Sequence, residues 1–115
     1  MSDSLSSPLF DLQVNGFAGV DYQQSNLTGD DLEASAVALR KHRMRYNLLT
    51  LITDTPEALQ AKLRNIEALR AQSAILRSTF PGYHIEGPYM SPLDGFKGAH
   101  RTELMKAPDW DEFQR

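Results

Sequence analysis

The sequence contains no cysteine in its 115 residues. That excludes disulfides, thiolate metal ligands and thiol nucleophiles together; it fits a reducing compartment, and the cytoplasm is the expected location. Positive charge is not in excess either: 12 Lys and Arg stand against 15 Asp and Glu, a formal net charge of −3. Such a balance gives no field to gather nucleic acid or an anionic membrane, and neither partner is expected. Long apolar runs are missing. Nothing approaches the roughly 18 apolar residues of a membrane helix, and Met1-Ser-Asp-Ser-Leu-Ser-Ser-Pro8 has neither the basic start nor the apolar stretch of a secretory leader. What is present suits a folding chain. Hydrophobic residues make up 41% and charged residues 23%, enough for a packed core, and the length allows one domain.

Residues 1–8 are Ser-rich and end at a proline, so they read as a disordered tail. Leu9-Phe-Asp-Leu-Gln-Val14 alternates apolar and polar side chains and runs into Asn15-Gly16 and Gly19, the pattern of a strand and a flexible loop. Thr28-Gly-Asp-Asp31 is a helix start, with a capping Thr and acids in the first turn, and Leu32, Ala36, Leu39 and His42 then share a face. Asn47-Leu-Leu-Thr-Leu-Ile52 is nearly continuous in apolar residues, as a strand covered on both faces of a parallel sheet would be. Asp54-Thr55-Pro56-Glu57 opens a second helix whose stripe is Leu59, Leu63, Ile66 and Leu69. Tyr83-His-Ile-Glu86 is a third strand, ended by Gly87-Pro88. The unit of strand, loop and helix recurs about every 36 residues, the scale of a βα unit, of which barrels use about eight and doubly wound sheets five or six. Three units suggest an incomplete α/β architecture with parallel, adjacent strands in the order one, two, three.

Functional residue types concentrate in His84-Ile-Glu86-Gly-Pro-Tyr-Met-Ser-Pro-Leu-Asp-Gly-Phe-Lys97-Gly-Ala-His100. His84 and Glu86 lie two apart at a strand end, so both point to one side of the sheet, where barrel enzymes place their chemistry. Imidazole and carboxylate are metal ligands, and a catalytic zinc commonly has three from the protein. Glu86 is therefore either a ligand or, more blandly, a capped or ion-paired strand-end carboxylate. A lone loop His such as His100 is more often incidental than functional, and His42 reads as a packing or capping residue. Gln13 and Asn15 alternate out of the first strand. Gly16 to Gly19 is not a dinucleotide fingerprint, because the third glycine and the helix are missing.

Taken together, Asp11-Leu-Gln13-Val-Asn15-Gly16-Phe-Ala-Gly19, Leu51-Ile-Thr-Asp-Thr-Pro56, His84-Ile-Glu86-Gly-Pro88 and Lys97-Gly-Ala-His100 resemble the N-acetylglucosamine-6-phosphate deacetylases of the amidohydrolase superfamily, over about residues 9 to 101. The resemblance implies a TIM-type (β/α) barrel, of which residues 9–115 are the N-terminal segment, truncated at both ends. It implies a hydrolase that uses one divalent metal, zinc or alternatively iron or manganese, to activate water against the acetamide of N-acetylglucosamine 6-phosphate, yielding acetate and glucosamine 6-phosphate. By the same resemblance Glu86 is the metal ligand, Ala99 and His100 bind the amino sugar, and Gln13 and Asn15 occupy a vestigial second-metal position. No catalytic general acid or base is expected in this chain, because the family takes that Asp and two His ligands from later strands. The full-length enzyme leaves room for a homo-oligomer. The segment alone is expected to be inactive. Two rivals stand beside this reading: a non-catalytic remnant that binds a sugar phosphate or a partner chain through uncovered strand edges, and a hydrolase of another N-acyl amino sugar.

Overall fold

Alternation in the first segment and continuity in the second produce strands of different kinds. Strand β1 (Leu9–Val14) is largely exposed, whereas strand β4 (Met44–Ile52) buries Asn47, Leu49, Thr50 and Leu51. The computed structural model describes residues 7–89, 93 and 100–114; apart from Ser7 and Pro8, the expected N-terminal tail lies outside them. Strand β5 (Gly82–Glu86) completes a sheet of order β1-β4-β5, parallel throughout. Adjacency and direction are those expected from the spacing of the βα units, within a mixed α/β fold. The central position of β4 explains its apolar run, since it alone has a neighbour on each edge and helices against its face.

Those helices are α1 (Gly29–Lys41), α2 (Pro56–Ala71) and α3 (Ala74–Thr79). Thr28 and Thr55 cap α1 and α2, each hydroxyl accepting from the backbone N–H three residues on, and Pro56 takes the first helical position, where no amide donor is needed. Leu32, Ala36 and Leu39 of α1, Ile66 of α2, Leu76 of α3 and the following Phe80 are buried against Leu49 and Leu51 of β4. Leu59, Leu63 and Leu69 pack on this core partly buried, so the α2 stripe is core as its spacing implies. His42 caps α1: its ring lies 2.9 Å from the Ala38 carbonyl and meets Phe17 edge-on.

The segment read as a flexible loop after β1 is a tight hairpin of β2 (Gly16–Phe17) and β3 (Val20–Asp21). Ala18 and Gly19 both have positive φ, the pattern of a two-residue turn whose twist suits paired strands. Gly16 is needed there for another reason: a Cβ at this position would sit 2.6 Å from the Val20 carbonyl oxygen. The usual Asn-Gly or Asp-Gly signal is absent because Ala fills the first turn position. Helix α3 also lies beyond the sequence reading, being only 6 residues long and too short to show a period. Strand β4 begins three residues earlier than its apolar run, because Arg43, at φ 65°, makes the left-handed exit from α1 that a glycine would usually make. Among the described residues, two short elements follow β5, a 3₁₀ turn (Thr102–Leu104) and helix α4 (Trp110–Phe113). Among the described residues no helix is long and apolar enough to cross a membrane.

Candidate functional site

Parallel strands share one carboxyl-terminal rim, and on it the chain gathers groups that are far apart in sequence. Glu86 is the last residue of β5, Gln13 lies one residue from the end of β1 with Asn15 just beyond it, and Thr53 follows β4. The Gln13 amide Nε2 donates to Glu86 Oε2 at 2.9 Å, and Asn15 Nδ2 lies 3.5 Å from the same oxygen. On the other side of the carboxylate, His100 Nε2 lies 3.2 Å from Oε1. His100 Nδ1 is in turn 2.8 Å from the Thr53 hydroxyl. The expected neighbours Gln13, Asn15, Glu86 and His100 thus form one polar cluster. Ala99, the remaining expected substrate contact, lies outside the described residues.

His84 shares the face of Glu86 but serves elsewhere, its Nδ1 lying 2.8 Å from the Leu12 carbonyl oxygen. Direction along the strand put it on the right side; the backbone acceptor beyond β4 engages the ring.

Two contributors receive no role in the sequence reading, although Thr53 falls within the Leu51-Ile-Thr-Asp-Thr-Pro56 motif. Gln23 fills the gap that opens where β1 ends: its Nε2 donates to the Thr50 carbonyl at 2.8 Å, and its Oε1 accepts from the Ile52 N–H at 3.0 Å. A side-chain amide here substitutes for a missing strand residue, satisfying two groups at the end of β4. Thr50 holds the other side of the join, its hydroxyl accepting from the Val14 N–H at 3.0 Å, beside the register shift between Asp11 and Val14. The second contributor is Thr53, 5% exposed. No composition or spacing signal distinguishes it from any threonine at a strand end.

Asp54 sits beside the cluster and is spoken for. Burial pushes its carboxyl up, but the Lys62 ammonium at 2.7 Å, the Thr55 N–H and the charge of Arg101 outweigh that, and the net shift is below the ordinary carboxylate range. A carboxyl depressed in the folded state stabilises above its unfolded pKa, about 3.9, and loses that contribution as pH falls through the lower folded value. Asp54→Asn is therefore expected to flatten the acid-side decline of unfolding free energy below about pH 4, followed by urea titrations at stepped pH. An unchanged decline would mean the Lys62 pair adds nothing to the folded state.

Donor chemistry limits what this cluster can hold. Glu86 supplies a carboxylate and His100 an imidazole, while Gln13 and Asn15 present amide N–H groups to Glu86. Among the described residues no group of three His, Cys, Asp or Glu side chains converges to hold a metal ion. By that count they do not complete a catalytic zinc site, for which three protein ligands are usual. The arrangement can fix the direction of one carboxylate and present one imidazole beside it.

No family model matches the chain, and no curated protein does. Solved structures do. The N-acetylglucosamine-6-phosphate deacetylase of Pasteurella multocida matches at 26% identity and a TM-score of 0.75, covering 94% of this chain and 27% of that one. The enzyme of the same name from Mycobacterium smegmatis matches at 29% identity and a TM-score of 0.72, covering 94% of this chain and 28% of its own. That of Thermotoga maritima, at 23% identity and a TM-score of 0.74, supports the fold alone, again over 94% and 27%. The chain thus resembles N-acetylglucosamine-6-phosphate deacetylases, and it spans about 27% of the length of the structures it matches.

Proposed function

We propose that this chain supplies the first three βα units of a (β/α) barrel deacetylase acting on N-acetylglucosamine 6-phosphate, with Glu86 as one metal ligand and His100 as a contact to the amino sugar. The observation that carries the reading is the Glu86 carboxylate, set at the end of β5 and held between the Gln13 amide and the His100 ring. A carboxylate fixed by donors on one oxygen keeps a constant direction, as a ligand must. Metal chemistry in such a site would lower the pKa of bound water and polarise the acetamide carbonyl. The described residues do not complete its ligand set. Their own share is to orient Glu86 and to present His100. Identity of the metal, zinc or alternatively iron or manganese, belongs to the same proposal, as does the cytoplasmic location.

A graft tests it. Residues 9–101 are exchanged for the matching segment of the Pasteurella multocida deacetylase, and acetate release from N-acetylglucosamine 6-phosphate is assayed. Activity is expected, with a loss of at least about a hundredfold on Glu86→Ala, the scale of several kcal/mol of metal-dependent stabilisation. A folded, metal-loaded graft whose activity ignores Glu86→Ala would sink the assignment.

The second reading, binding of a partner chain without catalysis, is favoured by one observation. Leu9, Phe10 and Leu12 of the edge strand β1 are 46%, 53% and 65% exposed, and Ile85 of the opposite edge strand 40%. A closed barrel would cover the same residues, so the graft decides between them.

A further inference from the structure

We propose that Thr53 is a positioning residue that holds the His100 imidazole with its Nε2–H directed at the Glu86 carboxylate. The argument starts at Glu86 Oε1, 3.2 Å from His100 Nε2. An ionised carboxylate only accepts, so a hydrogen bond there requires the proton on Nε2. In the neutral ring Nδ1 is then a bare acceptor. The His100 side chain is 8% exposed, and a buried acceptor without a donor carries its full desolvation penalty. The Thr53 hydroxyl, 2.8 Å away, is the donor it needs. That hydroxyl also lies 3.3 Å from the Glu86 backbone carbonyl, a longer and weaker alternative for its proton.

Holding the ring at both nitrogens removes its freedom to turn. A ring tied through Nε2 alone could swing outward to let water reach Nδ1; one tied at both nitrogens has a single orientation. Thr53 is well placed to act as the fixed end, since it follows the central strand β4 and is nearly buried. The purpose of this hold, steadying the Glu86 carboxylate in the direction a metal ligand needs, rests on the deacetylase reading. The hold itself does not.

Nuclear magnetic resonance of the full chain, with ¹⁵N-labelled histidine and no metal or sugar, reads the hold alone. The wild-type His100 ring is expected as the Nε2–H form with a visible N–H signal, as its contacts to Glu86 and Thr53 require. Thr53→Val keeps the side-chain shape and removes the hydroxyl; exchange of the Nε2 proton with water should accelerate about five- to tenfold, the factor of one ordinary hydrogen bond. Thr53→Ser should restore the wild-type signal. An Nδ1–H ring in the wild type overturns the proposal, even if Thr53→Val fails to fold. So does a folded Thr53→Val protein with unchanged Nε2 exchange, or a folded Thr53→Ser protein that does not restore it. Adding N-acetylglucosamine 6-phosphate to the same wild-type sample tests the deacetylase reading separately. A His100 ring shift supports that reading; its failure is read instead from the graft, whose activity is lost or kept independently of the Thr53 result.

Discussion

Phe80→Ala is expected to lower the unfolding free energy by about 3–5 kcal/mol, the range for removing a fully buried Phe side chain. Phe80 has no exposed surface and closes α3, its N–H donating to the Leu76 carbonyl at 2.9 Å. Its ring meets Tyr22 edge-on, with centroids 5.6 Å apart and planes at 82°, so truncation removes an aromatic pair as well as area. Tyr22 is itself fully buried and bonded to Ser35 of α1; burial is the main cause that pushes its phenol up to about 12. The pair therefore joins the β3 hairpin, α1 and α3, and a cavity there loosens three elements at once. Against a total stability of roughly 5–15 kcal/mol, the loss is large, and the melting midpoint should fall by about 12 to 20 °C. Phe10→Ala is the control: 53% exposed on edge strand β1, it should cost under about 1 kcal/mol. Equal losses from the two substitutions in calorimetry would mean that the core is not where the burial pattern puts it.

Much of this arrangement is legible in the residues because it follows from period and punctuation. The β4 run, the α2 stripe and the Thr caps depend on neighbours in sequence, and each forms where those neighbours dictate. Tyr22 and Phe80 show the limit: their burial comes from partners in other elements, with Ser35 and Tyr22 far from each in the chain, and no local pattern signals it. The rim divides in the same way. Strand alternation places Glu86 and Gln13 on the rim, while their expected roles, like that of His100, come from the resemblance alone. Thr53 and Gln23 escape because their roles depend on groups that long-range folding brings within reach: a ring nitrogen 47 positions away for Thr53, and the end of β4 for Gln23. His84 makes the converse point. Alternation gave its side correctly, but its contact was decided by the Leu12 carbonyl.

The purified 115-residue chain, dialysed against metal-free buffer, is expected to hold less than about one tenth of an equivalent of zinc and to release no acetate from N-acetylglucosamine 6-phosphate above a metal-only control. Tight zinc binding draws its free energy from several ligands acting on one ion, and apparent values of about 10–16 kcal/mol belong to complete structural sites. The described residues offer Glu86 and, beside it, the His100 ring. The amide donors of Gln13 and Asn15 stabilise the negative carboxylate without adding charge or a further anionic ligand. A cation entering here would have to break the Glu86–His100 contact or share it, and water would fill the remaining positions. Turnover meets a second obstacle: a general acid or base is typically worth about 10²–10⁴ in rate, and Asp54, a carboxylate on this rim, is engaged by Lys62. Elemental analysis and an acetate assay on the same preparation check both parts. Stoichiometric zinc together with turnover abolished by Glu86→Ala in this chain would overturn the expectation, and would mean that a second copy or a ligand outside the described residues completes the site.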